Sequence, residues 1–256
     1  GDRVAGIFFA SWVDGRPSAR TNASARGGAI DGMLSEMIVG HEDGLVEIPE
    51  HLSFIEAATL PCAGVTAWNA LFKHGGLVED AFVLLEGTGG VSIFGLQFSV
   101  AAGARPIITS SSDEKLVHAR EMGAYGTVNY RTNTEWQDEV RAITGNAGVT
   151  QVLEVGGRDT LPKAIRALGY GGHIAIIGGL SGFANAMPIG SFIGRSVKVT
   201  GIYVGSRADF EAMNAFITQH QLRPLVDKVF TFDNAPAAYD HMASGNHMGK
   251  IVIASF

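Results

Sequence analysis

Leu85-Glu86-Gly87-Thr88-Gly89-Gly90-Val91-Ser92 decides the fold. It follows an apolar run, residues 81–85, and opens a stretch of helical periodicity, residues 91–102. A buried strand that turns through glycines straight into a helix is how a dinucleotide-binding βαβ unit begins. Gly87 permits the tight turn. Gly89 lets the backbone approach a pyrophosphate, which then sits on the amides and the positive dipole of the helix N-terminus. The third glycine of the usual fingerprint is Ser92 here, a residue still small enough for close helix–strand packing. A bare glycine-rich turn is more often only a turn. The strand before it, the helix after it and a second strand about 20 residues further on favour the cofactor reading.

Further buried runs follow at 107–109, 127–130, 151–155, 173–177 and 197–204. Between them lie helical segments at 113–122, 134–143 and 160–168, with Asp113 and Thr134 placed as N-caps. Continuous apolar strands alternating with amphipathic helices predict an α/β fold, a doubly wound parallel sheet covered on both faces. Residues 1–56 have a strand-and-turn texture, residues 54–72 have helical spacing, and one more amphipathic helix and a final strand, 249–254, follow Arg207.

The second strand ends in Thr109-Ser110-Ser111-Ser112, without the carboxylate that would accept the adenosine-ribose hydroxyls of NAD and repel a 2′-phosphate. Hydroxyls and turn amides are available to phosphate there, and Lys115 lies one helical turn on. The reading is NADPH, so NADP is the expected cofactor. The alternative takes the serines as an ordinary helix cap and Asp113 as a displaced ribose ligand.

Composition bounds the rest. Of 256 residues 46% are hydrophobic, enough for an ample core, and a net charge of -6 offers no basic patch to nucleic acid. A single cysteine, Cys62, makes no intrachain disulfide, so a reducing, cytoplasmic setting is expected. No run approaches the roughly 18 consecutive apolar residues of a bilayer span, and no signal peptide is read at the start, so no membrane partner is expected.

At this point the chain resembles the medium-chain dehydrogenase/reductase superfamily, in particular its zinc-independent, quinone-oxidoreductase-like branch. The motifs that carry the likeness are Gly1-Asp2-Arg3-Val4, Ala57-Ala58-Thr59-Leu60-Pro61, Gly64-Val65-Thr66-Ala67-Trp68, Gly87-Thr88-Gly89-Gly90-Val91, Gly123-Ala124, Val128-Asn129-Tyr130, Gly171-Gly172 and Gly249-Lys250, in this order. The resemblance implies a Rossmann NADP-binding domain over 58–206 and part of a GroES-like β-rich catalytic domain over 1–57, with a return to it over 207–256. Roughly the first quarter of a family member is missing. The resemblance also implies that Thr66 lies at the nicotinamide end and Gly89 to Ser92 at the pyrophosphate. Ser110, Ser111, Lys115 and Tyr130 would surround the 2′-phosphate, while Ile177, Gly178, Gly179, Ile202, Tyr203 and Val204 would line the nicotinamide side. Tyr130 has an equal reading as a cap on the sheet edge, and Gly178-Gly179 as a plain loop.

Zinc is the strongest rival within the fold. Cys62 stands where zinc members keep one ligand, but catalytic zinc wants three protein ligands and an open position. Gly40-His41-Glu42 spells a zinc tripeptide on the wrong side of the Gly1-Asp2-Arg3-Val4 strand. Cys62 reads more simply as a small buried residue at a helix start. No nucleophile–base set stands out, so no catalytic residue is assigned and no metal is expected. Phe8, Phe9 and Trp12 are candidates for an apolar substrate cleft, with core packing the simpler reading for Phe8. Three functions remain: a zinc-free NADPH reductase of a quinone, enone or carbonyl electrophile, a zinc alcohol dehydrogenase, and a non-catalytic nucleotide-binding structural protein. Residues 196–204 have strong strand propensity at a sheet edge, which predicts a homodimer paired through that strand.

Overall fold

In the computed structural model, which describes residues 1–183 and 189–254, the chain forms two compact units, Gly1–Thr66 with Val204–Phe256, and Ala67–Tyr203. Numbered along the chain, the strands are β1 (Val4–Gly6), β2 (Leu45–Glu47), β3 (Phe82–Leu85), β4 (Arg105–Ser110), β5 (Gly126–Asn129), β6 (Val149–Glu154), β7 (Leu168–Ile176), β8 (Lys198–Gly201), β9 (Val226–Thr231) and β10 (Lys250–Ala254).

In the unit Ala67–Tyr203 every apolar run becomes a parallel strand, in the order β5-β4-β3-β6-β7-β8. The chain enters at β3, winds outward to β5, then returns to the other side of β3 at β6. That reversal opens a crevice at the carboxyl ends of β3, β4 and β6. Alternation along the strands explains why both faces are apolar. Leu84, Ile107, Val152 and Ile174 join Trp136, Val140 and Ile165 in one buried cluster, under the helices Trp136–Ile143 and Leu161–Ala167. Leu85 and Leu153 point the other way, to the helix Gly90–Ala101, where a Cβ on Gly95 would stand 2.8 Å and 2.9 Å from their Cδ2 atoms. Gly95 is therefore what lets this helix lie close on the sheet.

In the other unit, β1 and β2 pair antiparallel and β9 and β10 pair parallel. Ser206 caps the helix Arg207–Gln219 reciprocally with Asp209, and Asn214 Nδ2 donates to the Glu47 carbonyl at 2.9 Å. Phe9 and Trp12 are core residues, 1% and 5% exposed with ring centroids 5.6 Å apart, whereas Phe8 is half-buried. Core packing, the simpler reading for Phe8, therefore holds most fully for Phe9 and Trp12.

Other boundaries also moved. β8 is four residues long, not the nine of 196–204, because Ser196 (φ 54°) and Val204 (φ 55°) leave extended backbone. The cap of the helix Asp113–Glu121 is Ser112, whose hydroxyl accepts from the Lys115 amide, so Asp113 is its first residue. Glu135, not Thr134, precedes the helix Trp136–Ile143. β9 and the helix Ala235–Ala243 were not foreseen, since Asp227 and Lys228 break the apolar pattern of β9. Among the described residues no helix is long and apolar enough to cross a membrane.

Gly95→Val would force two fully buried leucines aside. We expect a stability loss of about 1–3 kcal/mol, read as a lower denaturant midpoint.

Candidate functional site

The glycine-rich turn is built by its neighbours. Gly87 adopts the left-handed conformation (φ 74°) and donates its amide to Thr109 Oγ1 of β4 at 3.2 Å. Gly89 is extended and precedes the helix, whose first i→i−4 bond runs from the Ile93 amide to the Gly89 carbonyl. The amides of Gly90, Val91 and Ser92 lie ahead of that bond, at the positive end of the helix. A Cβ on either Gly87 or Gly89 would meet no atom within 4 Å. These two glycines thus border open space, the cradle that a pyrophosphate needs. Ser92 is buried and donates its hydroxyl to the Glu86 carbonyl at 2.6 Å, so the serine ties helix to strand where the fingerprint has glycine.

At the end of β4 the buried Ser110 hydroxyl accepts from the Ser112 amide at 3.2 Å, and Tyr130 donates its own amide to the Ser110 carbonyl at 3.1 Å. Ser110, Ser111, Tyr130 and, one turn on, the half-buried Lys115 are gathered at this strand end, with Tyr130 42% exposed. Asp113, the alternative ribose ligand, is engaged elsewhere: its Oδ1 accepts from Asn129 Nδ2 at 2.7 Å.

The loops after β6 and β7 interleave. Ile177 and Gly178 donate to the Glu154 carbonyl, Leu180 to that of Val155, and Ser181 to that of Gly156. A Cβ on Gly178 would come 2.9 Å from the Val155 carbonyl oxygen, and one on Gly179 would come 2.5 Å from the Phe183 ring. Here Gly178 admits the neighbouring loop and Gly179 a side chain of its own loop, a different reason from the close ligand approach that strand-end glycines suggest. Ile202 is buried and donates to the Ile176 carbonyl at 2.8 Å, while Tyr203 is exposed. Thr66 and Val204 belong to the other unit. Thr66 is buried with its hydroxyl donated to the Cys62 carbonyl at 2.7 Å. Val204 is a buried β-branched residue in the left-handed region, a conformation that costs about 1–3 kcal/mol.

Two functional-looking residues were missed by sequence reasoning, although Leu85-Glu86 and Leu153-Glu154 show them as acids ending apolar strands. Glu86 and Glu154 are both buried, 4% and 0% exposed. Glu154 Oε1 accepts from the Gly156 and Gly157 amides at 2.8 Å each and from the Thr160 hydroxyl at 2.6 Å. Neither Glu86 oxygen, nor Glu154 Oε2, has a well-aligned N–H or O–H donor. Burial, and then the adjoining Glu154 carboxyl as charge and hydrogen-bond partner, push the Glu86 carboxyl well above the usual range. The nearby Gly156 and Val155 amides act weakly the other way.

Cys62 is exposed, not buried as expected. His41 opens a surface turn, where its Nδ1 accepts from the Asp43 amide. Among the described residues no three His, Cys, Asp or Glu side chains converge on a point that could hold a metal ion.

Residues 90–219 match the zinc-binding dehydrogenase family. The chain is 43% identical over 259 residues to a zinc-type alcohol dehydrogenase-like protein of Schizosaccharomyces pombe, covering 99% of this chain and 75% of that protein. It is 27% identical to a quinone oxidoreductase-like protein of Bos taurus, over 87% of this chain and 66% of that one. A crystal structure from Sinorhizobium meliloti 1021, provisionally described as an alcohol dehydrogenase, superposes with a TM-score of 0.93 at 41% identity, over 99% of this chain and 74% of that one. The chain thus spans two thirds to three quarters of each of these relatives.

Replacing Ser92 by alanine leaves the buried Glu86 carbonyl without its hydroxyl donor. Denaturation of Ser92→Ala should show a loss of about 1 kcal/mol.

Proposed function

We propose a function from one premise: this chain belongs to the medium-chain dehydrogenase/reductase superfamily. These are oxidoreductases that use nicotinamide cofactors. Within that family we read the chain as the greater part of an NADPH-dependent reductase that passes hydride to a quinone, enone or carbonyl carbon without a metal ion.

The observation that carries this reading is the open cradle at Gly87 and Gly89, beside a second strand that ends in hydroxyls. The amides of Gly90, Val91 and Ser92 would hold the pyrophosphate. Ser110, Ser111, Lys115 and Tyr130 would hold the 2′-phosphate, with Lys115 supplying a charge-assisted contact. Asp113, bonded to Asn129, offers less competition from a ribose-binding carboxylate. The bound cofactor supplies the hydride. What the protein contributes is position: it fixes the nicotinamide at reacting distance from an electrophilic carbon, in a site that excludes water. The proton that completes the reduction would come from water or a hydroxyl.

Two specificity tests follow from this assignment. NADPH should bind about tenfold to a hundredfold more tightly than NADH, as a charge-assisted phosphate contact of about 1.5–3 kcal/mol implies. Lys115→Ala should remove most of that preference while leaving NADH binding unchanged. Equal affinities in a titration would refute the assignment, and binding without reduction of a broad electrophile panel would favour a structural role. Metal analysis of the full-length protein decides the remaining rival, since near-stoichiometric zinc whose removal abolishes turnover would establish a zinc alcohol dehydrogenase.

The same reading includes a homodimer paired through residues 196–204, with β8 as the open edge of the sheet. Because the Ile202 amide is bonded inward to Ile176, strand alternation turns the Val199 amide outward. Val199→Pro should therefore dissociate the dimer, and a monomeric mass by light scattering of the unmutated full-length protein would end the proposal.

A further inference from the structure

Beneath the glycine-rich turn, two carboxyls occupy adjoining strand ends. Leu85 of β3 is paired with Leu153 of β6, so Glu86 and Glu154, one step on, stand side by side on the same face of the sheet. Glu154 Oε1 is saturated by three donors, whereas three other carboxyl oxygens of the pair have none well aligned. Two adjacent ionised carboxylates buried in this way repel each other and leave those oxygens desolvated. One proton shared between them removes the repulsion and gives two of those three oxygens a partner. Glu154 already accepts from three fixed donors and Glu86 from none well aligned, which assigns the proton to Glu86.

We propose that Glu86 is a positioning residue: protonated, it donates a hydrogen bond to Glu154 Oε2 and so locks the phosphate-binding turn to the loop 155–157. Each end of that bond reaches ligand-facing backbone. The Glu86 carbonyl receives the Ser92 hydroxyl, and the next residue makes the left-handed turn. Glu154 holds the amides of Gly156 and Gly157, whose loop interleaves with residues 177–182. The bond thus couples the pyrophosphate end of the site to the side assigned to nicotinamide. The role at the cofactor rests on the function proposed above, whereas the shared proton does not.

Glu154 is the charged group that acts most strongly on the Glu86 carboxyl. The helix Gly90–Ala101 carries no charged residue. Lys163 and Arg166 of the helix Leu161–Ala167 face Glu135 and Asp138, and Arg158 pairs with Asp159. Asp113 bonds Asn129, and Arg105, at the far end of β4, pairs with Asp80. The Glu86 carboxyl is raised by burial first and by Glu154 second. Stability from the protonated form is therefore full below the ordinary carboxylate range and is lost as pH rises through the raised value.

The test uses the full-length protein with Glu86→Gln, which keeps a neutral donor, and Glu86→Leu, which removes it. Infrared spectra without cofactor should show a protonated-carboxyl band at neutral pH that Glu86→Gln lacks. NADPH affinity should stay within about threefold in Glu86→Gln and fall about tenfold or more in Glu86→Leu. Unfolding midpoints of the unmutated protein should drop toward alkaline pH, and those of Glu86→Gln should not. The absence of the band, its persistence in Glu86→Gln, or wild-type affinity in Glu86→Leu overturns the proposal. If Glu86→Leu fails to fold, the band and the pH profile of Glu86→Gln decide. Failure of the unmutated protein to bind any nicotinamide cofactor would sink the functional reading, while the infrared band would still decide the proton.

Discussion

The architecture around the site depends on one left-handed turn. At Gly87 the chain leaves a strand buried from Val83 to Leu85 and must reverse direction within three residues to start a helix that packs on the sheet. Only a residue without a Cβ takes that conformation cheaply while leaving its flank open. Everything near it serves to hold the turn. Thr109 receives its amide, Ser92 closes the helix onto Glu86, and Gly95 lets the helix settle against Leu85 and Leu153. The first amides of the helix, ahead of the Ile93–Gly89 bond, are then left to face an anion.

Much of this was legible in the sequence. Buried parallel strands need no polar face, so the runs before Glu86, Ser111 and Val155 announced themselves as strands, and the glycines after β3 announced the turn. What failed to show obeys a different logic. β9 sets Asp227 and Lys228 side by side between apolar residues, so its pattern is neither a continuous run nor a clean alternation. β8 reads as nine residues of strand propensity, yet Ser196 and Val204 turn the backbone left-handed at its borders, which propensity does not encode. Phe8, Phe9 and Trp12 are alike in hydrophobicity, and tertiary packing alone decides which is buried. The glycines at 178 and 179 were visible as a site, but their partners, Val155 and Phe183, come from contacts that sequence spacing does not reveal.

The buried carboxyl pair illustrates a related limit. An acid at a strand end in sequence looks like a solvated boundary. Strand register made it something else, since β3 and β6 are neighbours in space though some sixty residues apart in the chain. The function proposed above, catalysis by positioning, has little use for exposed acid–base groups at this end of the sheet, and much use for rigid backbone. A proton trapped between two carboxyls supplies rigidity at the point where the two halves of the sheet meet.

The central claim is that the space beside the glycine-rich turn belongs to a dinucleotide. Gly89 tests it most directly, because its backbone is extended (φ -77°) and a Cβ there meets no protein atom within 4 Å. Gly89→Val in the full-length protein should unfold at the same denaturant midpoint as the unmutated protein yet bind NADPH at least about tenfold more weakly. Unchanged NADPH affinity with an intact fold would contradict the account.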